Sequence, residues 1–348
     1  MKAMTYSRYG SPDVVTLSEV GKPTPKPNEV LIRILATTVT SGDYRARSLD
    51  MPAGFGLIGR LVFGLTGPRQ PILGTELAGI VESVGAEVMN FNPGDEVMAF
   101  TGGAYGSHAE YRTMPATGTI VHKPANLSFE EAASLSFGSM TALPFLRDKA
   151  RIKAGDTVLV VGASGAVGTA AVQIARHFGA DVTGVTSTAN VELVAGLGAR
   201  RVIDYTRTDF ATTGETWDII LDTTATVPFA RCAHALKPGG RLVAIQGSFA
   251  QTLGIGKPSK ASGKKVIAGY VPATAEDLRY IARLASDGEL KPVVDRTYRL
   301  EEAAAAHAYV DTGRKRGSVV LTVGAGEADF LSGRLVRVGR TRPLSAAA

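Results

Sequence analysis

Short apolar segments alternate with helical patterns from residue 154 onwards, and this alternation limits the possible folds more than any other feature of the sequence. Apolar strands separated by helices are typical of parallel βαβ units, because each helix carries the chain back to the same edge of the sheet. Six strands are enough for a doubly wound sheet with helices on both faces, so we predict an α/β fold. The predicted strands are residues 157–161, 181–185, 201–203, 217–221, 241–245 and 266–269, and the helices among them are residues 167–178 and 190–197.

The segments on either side of this series predict a second unit that is mostly β. Short strands separated by turn residues occupy the first 120 residues and include 30–34, 79–84 and 96–99. The other end of the chain carries helical patterns at 275–287 and 300–312 and a closing strand at 318–323. Because the six-stranded sheet is already complete, we assign this end to the same unit as the first 120 residues.

A glycine turn between the first predicted strand and the first helix of the series predicts a dinucleotide site. Its sequence is Gly162-Ala-Ser-Gly-Ala-Val-Gly168, and the N–H groups and dipole of the following helix suit a pyrophosphate. Gly165 allows the backbone to approach the phosphates, and Gly168 allows the helix to pack close to the strand. The alternative is a tight turn alone, but its place in the strand series favours a cofactor. The predicted contacts are Ser164, Gly165, Ala166 and Val167.

The position that selects between NADH and NADPH carries hydroxyl groups. An NAD site usually has a carboxylate about 20 residues after the turn, where it holds the ribose. This sequence has Thr186, Ser187 and Thr188 there, which do not repel a 2′-phosphate, and Tyr205 follows at the next strand. We therefore predict NADPH as the cofactor. The alternative is that the hydroxyls only cap the helix that begins at Asn190.

Composition excludes several other classes of protein. The 348 residues suffice for about two domains, and 45% hydrophobic with 20% charged residues excludes disorder and coiled coil. The net charge of +6 comes without a long run of Lys or Arg, so we expect no nucleic-acid partner. Cys232 is the single cysteine, which excludes an intrachain disulfide and favours a cytoplasmic location.

Residues 54–65 form an unusually apolar stretch that only Arg60 interrupts. No uncharged apolar run in the sequence approaches the roughly 20 residues of a membrane span. Interfacial binding is less favoured because a strongly charged opposite face is missing, so we expect no membrane partner. Our interpretation is that the stretch forms an apolar wall for a small hydrophobic substrate.

Several motifs in a fixed order make residues 4–323 resemble the medium-chain dehydrogenase/reductase superfamily. The resemblance is to its zinc-independent branch, which includes quinone oxidoreductases and enoyl reductases. The motifs are Gly74-Thr-Glu-Leu-Ala-Gly-Ile-Val81, Pro93-Gly-Asp-Glu-Val97, the glycine turn, Leu197-Gly-Ala, Val202-Ile-Asp-Tyr205, Lys237-Pro-Gly-Gly240 and Gly317-Ser-Val-Val-Leu321.

This resemblance implies a GroES-like β domain built from both chain ends and a Rossmann domain with a doubly wound parallel sheet. The GroES-like domain would comprise residues 1–124 and 271–323, and the Rossmann domain residues 125–270. Residues 324–348 would be a C-terminal extension. Relatives commonly pair edge strands of their Rossmann sheets, so the resemblance also implies a homodimer joined through residues 266–270.

The residues at the matching zinc positions depart from those of the alcohol dehydrogenases. In those relatives a Cys, a His and a third residue that is Cys or Asp hold a catalytic zinc, whereas the matching positions here are Thr40, Thr75 and Phe137. None of the three side chains is a good zinc ligand. We therefore expect no metal, and without a metal the oxidation of simple alcohols lacks its main electrophile.

The resemblance also places residues near the chemistry. The candidate catalytic residues Asp43 and Tyr44 fall in a loop that lines the nicotinamide side of the cleft in relatives, where Tyr44 would donate a hydrogen bond or a proton to substrate. The alternative is a tyrosine on a surface loop beside an aspartate. Thr141 matches a threonine that contacts the nicotinamide end. Strand ends at the carboxyl edge of the sheet supply the remaining predicted cofactor contacts, which are Thr223, Gln246 and Gly247.

The leading hypothesis is an NADPH-dependent oxidoreductase that transfers hydride to a quinone or to the activated double bond of an enone or enal. One alternative is a metal-free carbonyl reductase or alcohol dehydrogenase. Another is a non-catalytic protein that binds NADPH as a redox sensor or binds RNA. The sequence lacks the basic and aromatic patch that would favour RNA.

Overall fold

The computed structural model of the protein describes residues 1–253 and 262–324. The amino-terminal part is mainly antiparallel sheet, in which the long third strand pairs with the fourth at the centre. Its elements are β1 (Lys2–Thr5), β2 (Thr16–Glu19), β3 (Glu29–Val39), α1 (Ser41–Ser48), α2 (Gly56–Phe63), β4 (Glu76–Val84), β5 (Glu96–Phe100), β6 (Tyr111–Pro115) and β7 (Ile120–His122).

The central part of the chain forms the predicted Rossmann-type parallel sheet. Its elements are α3 (Phe129–Pro144), β8 (Thr157–Val161), α4 (Ala166–His177), β9 (Asp181–Thr186), α5 (Val191–Gly196), β10 (Arg201–Asp204), β11 (Trp217–Asp222), α6 (Phe229–Cys232), β12 (Leu236–Ala244), α7 (Phe249–Leu253) and β13 (Lys265–Ile267). The strand order is β10-β9-β8-β11-β12-β13, and every neighbouring pair is parallel. The order reverses between β8 and β11, so a crevice forms at their carboxyl ends.

The central strand β8 shows why this sheet is buried on both faces. Val158 and Val160 join the core cluster that contains residues of α3 and α4. Leu159 and Val161 join a separate cluster on the other face with Trp217. Successive side chains of a strand point to opposite faces, so a continuous apolar run fills both layers at once.

The end of the chain returns to the first sheet, as expected for a GroES-like domain made from both chain ends. Its elements are α8 (Ala275–Ser286), β14 (Val294–Arg299), α9 (Ala303–Asp311) and β15 (Ser318–Thr322). The second sheet has the order β14-β15-β3-β4-β5-β7, and β6 also pairs with β3. Leu278 and Ile281 of α8 pack instead in the core around α3 and α4. The chain therefore rejoins the first sheet at β14, later than the expected boundary at residue 271.

A buried arginine links α1 to α9 within the GroES-like domain. The Arg47 side chain is fully buried, and its guanidinium donates to Asp311 Oδ1 at 2.7 Å and to the Gly10 carbonyl at 2.8 Å. A buried charge is tolerated only when it is paired and hydrogen-bonded, and this pairing holds α1 in place beside the cleft described below. Among the described residues, no helix combines the length and apolar character that crossing a membrane requires.

Two buried histidines lie in the same core, and one has no hydrogen-bond partner within the described residues. The rings of His108 and His307 are 5.6 Å apart, and both side chains are fully buried. His108 Nε2 is 2.9 Å from the Thr38 carbonyl, whereas both ring nitrogens of His307 are unpaired. Burial lowers the pKa of His307 well below its usual value, and His108 and Arg47 lower it further.

This lowered pKa predicts acid sensitivity of the fold. The unfolded chain protonates His307 below about pH 6.5, whereas the folded chain keeps it neutral, so the free energy of unfolding should fall as the pH drops. We expect His307→Leu to reduce this slope by up to about 1.4 kcal/mol per pH unit in urea unfolding at pH 5 to 8. The matched control is a leucine at the exposed His122. Equal slopes for native chain and His307→Leu would contradict the prediction.

Candidate active site

A cleft of about 930 Å³ lies between the glycine turn, α1 and the segment that precedes β15. Its position at the carboxyl ends of β8, β9 and β11 is where ligands bind in doubly wound sheets. Ten residues predicted from the sequence line it, namely Tyr44, Ser164, Gly165, Ala166, Val167, Thr186, Ser187, Tyr205, Thr223 and Gln246. Residues that line it without having been predicted include Ser41, Arg45, Phe137, Asn190 and Lys315.

The glycine turn has the geometry that its sequence predicts. Gly162 has a φ of 78°, a conformation that favours glycine, and its N–H donates to the Val185 carbonyl at 3.1 Å. α4 then starts with Gly165 as its N-cap, and no side chain caps its first turn. These N–H groups therefore remain suited to an anionic ligand in the cleft.

A network of hydroxyls and an amide forms the ribose side of the cleft. Ser164 Oγ accepts hydrogen bonds from Thr186 Oγ1 at 2.9 Å and from Asn190 Nδ2 at 3.3 Å. The other amide atom, Asn190 Oδ1, is buried without a hydrogen-bond partner among the described residues. An unpaired buried acceptor is costly, and a ribose hydroxyl would satisfy it. The residues present therefore fit a dinucleotide.

Thr188 does not line this cleft, in contrast to Thr186 and Ser187. Its hydroxyl donates to Asp204 Oδ2 at 2.6 Å. Asp204 lies opposite Thr186 in the pairing of β10 with β9, so a carboxylate stands one strand away from the predicted position. Hydrogen bonds from Thr188 and Thr206 hold the pKa of Asp204 below its usual value. The sequence pattern predicted Tyr205 at the next strand but gave no role to the neighbouring Asp204.

Asp43 supports the wall of the cleft but does not line the cleft. Residues 41–48 are a helix, where we expected a loop, because Thr40 and Asp43 form a reciprocal capping box at its start. The buried Asp43 carboxylate accepts from Thr40 N at 2.8 Å, Thr40 Oγ1 at 2.6 Å and Gly74 N at 2.7 Å. All its hydrogen bonds are structural, so the interpretation of Asp43 as a catalytic residue is not supported.

Tyr44 is on the same helix and does line the cleft. Its hydroxyl donates to the Asp50 carboxylate, which, together with burial, raises the pKa of Tyr44 above its usual value. Tyr44 therefore stays protonated over the physiological range. It can donate a hydrogen bond but is a weak acid.

Arg45 connects the two domains across the cleft. Its guanidinium donates to the Asp50 carbonyl at 2.6 Å and to Gln246 Oε1 at the end of β12. Gln246 Nε2 in turn donates to the Thr223 carbonyl at 3.2 Å. The result is a fixed cation at the cleft wall. No sequence pattern signals it, because Arg45 and Gln246 are 201 residues apart.

Besides Thr188, two other predicted cofactor contacts lie outside the cleft lining. The Thr141 hydroxyl donates to the Phe137 carbonyl one turn earlier in α3, at 2.7 Å. Gly247 lies close to Ala268, whose Cβ would be 2.7 Å from a β carbon at position 247. The first residue is therefore bonded within its own helix, and the second serves close packing. Neither is in the cleft wall as the sequence suggested.

The structure brings together the three residues that match the zinc positions of relatives. Thr40 Oγ1 and Thr75 Oγ1 are 3.3 Å apart. A β carbon at Gly42 would lie 3.3–3.5 Å from Thr40, Thr75 and Phe137. Zinc needs thiolate, imidazole or carboxylate ligands, so two hydroxyls and a phenyl ring do not fit it. The described residues contain no group of three or more His, Cys, Asp or Glu side chains that could hold a metal.

Two ionisable groups lie close to this position. Glu76 is fully buried, accepts hydrogen bonds from Thr38 Oγ1 and the Phe137 N–H, and has its pKa raised by burial to about 8. Lys315 lines the cleft, donates to the Gly317 carbonyl at 2.7 Å, and has its pKa lowered by burial to about 8. The Glu76 and Asp295 carboxylates oppose that lowering.

Comparisons with known proteins agree with this geometry. Residues 26–125 match the alcohol dehydrogenase GroES-like domain model, and residues 197–321 match the zinc-binding dehydrogenase model. A 2-methylene-furan-3-one reductase of Solanum lycopersicum is 32% identical, over 92% of this chain and 79% of its own. A quinone oxidoreductase of Sus scrofa is 32% identical, over 88% and 93%.

Solved structures show the same likeness. The quinone oxidoreductase from Coxiella burnetii has a TM-score of 0.80 and 29% identity, covering 93% of this chain and 99% of its own. An NAD-dependent alcohol dehydrogenase has a TM-score of 0.79 and 29% identity, covering 93% and 100%. The fold and cleft are those of a two-domain nicotinamide-dependent oxidoreductase. The chain belongs to the medium-chain dehydrogenase/reductase superfamily, in its quinone oxidoreductase-like branch.

Gly165 and Gly168 of the glycine turn should differ in their effects on stability and on cofactor binding. A β carbon at Gly168 would lie 2.1 Å from the Gly162 carbonyl oxygen, so Gly168→Ala should lower the free energy of unfolding by about 1–3 kcal/mol. A β carbon at Gly165 has only an ordinary contact of 3.6 Å with that oxygen. Gly165→Ala should therefore keep its stability yet bind cofactor about tenfold more weakly, because the methyl group enters the phosphate site. Urea unfolding and fluorescence titration measure the two effects, and equal loss of stability in both variants would contradict the assignment.

Proposed function

We propose that this protein is a zinc-independent reductase that uses NADPH to reduce quinones or the activated double bonds of enones and enals. The observation that carries the proposal is that two features occur together. One is the glycine turn, which suits a dinucleotide, and the other is the place that matches the zinc site of relatives, which Thr40, Thr75 and Phe137 occupy. Relatives support the substrate class. Besides the two named above, an NADPH-dependent alkenal/one oxidoreductase of Arabidopsis thaliana is 29% identical over 92% of the chain.

The chain's own residues suit an acceptor that spreads its negative charge. Bound nicotinamide supplies a hydride from its C4 atom. Addition to the β carbon of an enone leaves an enolate, whose oxygen needs hydrogen-bond donors and not a metal. The Arg45 guanidinium at the cleft wall is a donor of this kind, and the Tyr44 hydroxyl becomes one when its proton turns from Asp50 to the substrate oxygen. Water can then protonate the α carbon.

The second candidate function is metal-free reduction of carbonyls or oxidation of alcohols. The likeness to a solved NAD-dependent alcohol dehydrogenase favours it. A saturated ketone, however, cannot spread the incoming charge and needs a strong acid or a Lewis acid at its oxygen. The raised pKa of Tyr44 makes that side chain a weak acid, so we place this function second. The non-catalytic alternatives have no supporting observation in the cleft.

The substrate class can be tested by NADPH oxidation in the presence of a chelator. We expect turnover with a quinone or an enone to exceed turnover with saturated ketones or simple alcohols by about a hundredfold or more, because only the conjugated acceptors stabilise their own developing charge. Activity should survive EDTA. Higher rates with alcohols, or loss of activity with EDTA, would contradict the proposal. Unchanged enone turnover in Tyr44→Phe would remove only the role of that hydroxyl.

The cofactor preference can be tested at Thr186. We expect NADPH to bind more tightly than NADH, and Thr186→Asp to weaken NADPH binding about tenfold by repulsion between the carboxylate and the 2′-phosphate. Thr186→Val is the matched control, because it also loses the hydrogen bond to Ser164 but adds no charge. Fluorescence titration with both cofactors measures the affinities. An equal loss in the Asp and Val variants would refute the role of charge at this position.

We also propose that the protein is a cytoplasmic homodimer. β13 lies at one end of the six-stranded sheet, so it has one free edge within the described residues, and Tyr270 just beyond it is 83% exposed. An unpaired edge is a natural template for a second copy. Light scattering should give twice the mass of the 36.3 kDa chain. A mass of one chain at micromolar concentration would rule the dimer out.

A further inference from the structure

The α2 helix exposes aliphatic side chains that the cleft does not use. We expected residues 54–65 to form a wall for the substrate, but none of them lines the cleft. Five of the ten large apolar side chains that are exposed among the described residues instead lie on or just after α2. We call this group the α2 surface, and it consists of Leu57, Ile58, Leu61, Val62 and Leu65, between 38% and 71% exposed. Such a concentration of exposed apolar area indicates a binding surface.

The charged residues within the segment that carries the α2 surface have one sign. Residues 51–75 contain Arg60 and Arg69 but no Asp or Glu. Both arginines are exposed, and neither is in an ion pair with any described residue. The Tyr9 hydroxyl donates to the Gly64 carbonyl at 2.9 Å, and both guanidinium groups oppose the rise in the pKa of Tyr9 that burial causes. Both therefore lie near the carboxyl end of α2.

The α2 surface is also joined to the rim of the cleft. Tyr44 and Arg45, which line the cleft, both bond to Asp50, and the chain runs from there directly into α2. On the other side, Phe55 packs against Phe249 of the Rossmann domain with ring centroids 5.3 Å apart. Whatever binds the α2 surface is consequently held near the entrance between the two domains.

We propose that the α2 surface binds the surface of an anionic lipid bilayer, which replaces our expectation from the sequence that the protein has no membrane partner. Its aliphatic side chains would enter the boundary between headgroups and acyl chains, and Arg60 and Arg69 would meet lipid phosphates. A second copy of the chain fits less well, because a symmetric contact would bring the arginines of both copies together, and neither arginine is paired with a carboxylate of the described residues. Binding to the bilayer does not depend on the proposed function. The use of this binding does rest on the proposed function, because a quinone dissolved in the bilayer would then reach the cleft.

Sedimentation of the full chain with vesicles tests the proposal. We expect the protein to sediment with vesicles of phosphatidylcholine and phosphatidylglycerol, to sediment less with phosphatidylcholine alone, and to be released by salt. The double variant Leu57→Ser/Leu61→Ser should bind about tenfold or more weakly, because two aliphatic side chains no longer enter the lipid. Met89→Ser removes a side chain that is 92% exposed in the turn after β4 and should bind like the native chain.

The arginines provide a second, independent variant. Arg60→Gln/Arg69→Gln should reduce the preference for anionic vesicles while leaving the weaker binding to phosphatidylcholine unchanged. Absence of sedimentation with the anionic vesicles, or equal binding of the serine variant and the native chain, would overturn the proposal. The proposal would also be overturned if the serine variant bound vesicles like the native chain and differed only in the mass measured by light scattering. The α2 surface would then join two copies.

A soluble assay separates this proposal from the proposed function. Both double variants should reduce a water-soluble quinone with NADPH as fast as the native chain, since none of the four residues lines the cleft. If the native chain lacks this activity but still binds vesicles, the proposed function fails and the lipid surface stands. If it has the activity but binds no vesicles, the lipid surface alone fails.

Discussion

The hydrogen bond from the Gly317 N–H to the Ser164 carbonyl, at 2.7 Å, is the contact on which the cleft depends. It joins the residue that precedes β15 of the GroES-like domain to the glycine turn of the Rossmann domain. Gly317 has a φ of 63°, and a β carbon there would lie 2.1 Å from the Val293 carbonyl oxygen. Only glycine satisfies both conditions, so one position sets how closely the two halves of the cleft approach. Lys315 reaches the cleft wall because it belongs to this segment.

The three residues that match the zinc ligands of relatives lie together in this structure. The Thr40 and Thr75 hydroxyls are 3.3 Å apart, and Phe137 lies beside both of them around Gly42. Thr40 also caps α1, so the hydroxyl that occupies a ligand position now helps to hold the helix that carries Tyr44 and Arg45. Buried Glu76 stays hydrogen-bonded to Thr38 and to the Phe137 N–H. These side chains support the cleft wall, which Phe137 lines.

Local patterns were sufficient for much of the fold and for half of the site. The parallel sheet followed from apolar runs, because a strand buried on both faces has few polar positions. The glycine turn followed from three glycines, because each is required by local backbone geometry or close approach. The helix at 41–48 was missed, since its signal is a capping box of two short polar side chains, and the resemblance pointed to a loop. The capping role of Asp43 was missed for the same reason.

The sequence by itself determined the two domains, the order of the Rossmann elements, the phosphate-binding turn and the absence of zinc ligands at three positions. These depend on the period of apolar residues and on which residue types stand at a motif. Tertiary structure alone decided that Arg45 meets Gln246, that Asn190 Oδ1 has no hydrogen-bond partner among the described residues, and that α2 does not line the cleft. Each of these depends on which groups the fold brings together or leaves exposed, and burial and pairing between distant segments leave no local pattern in the chain.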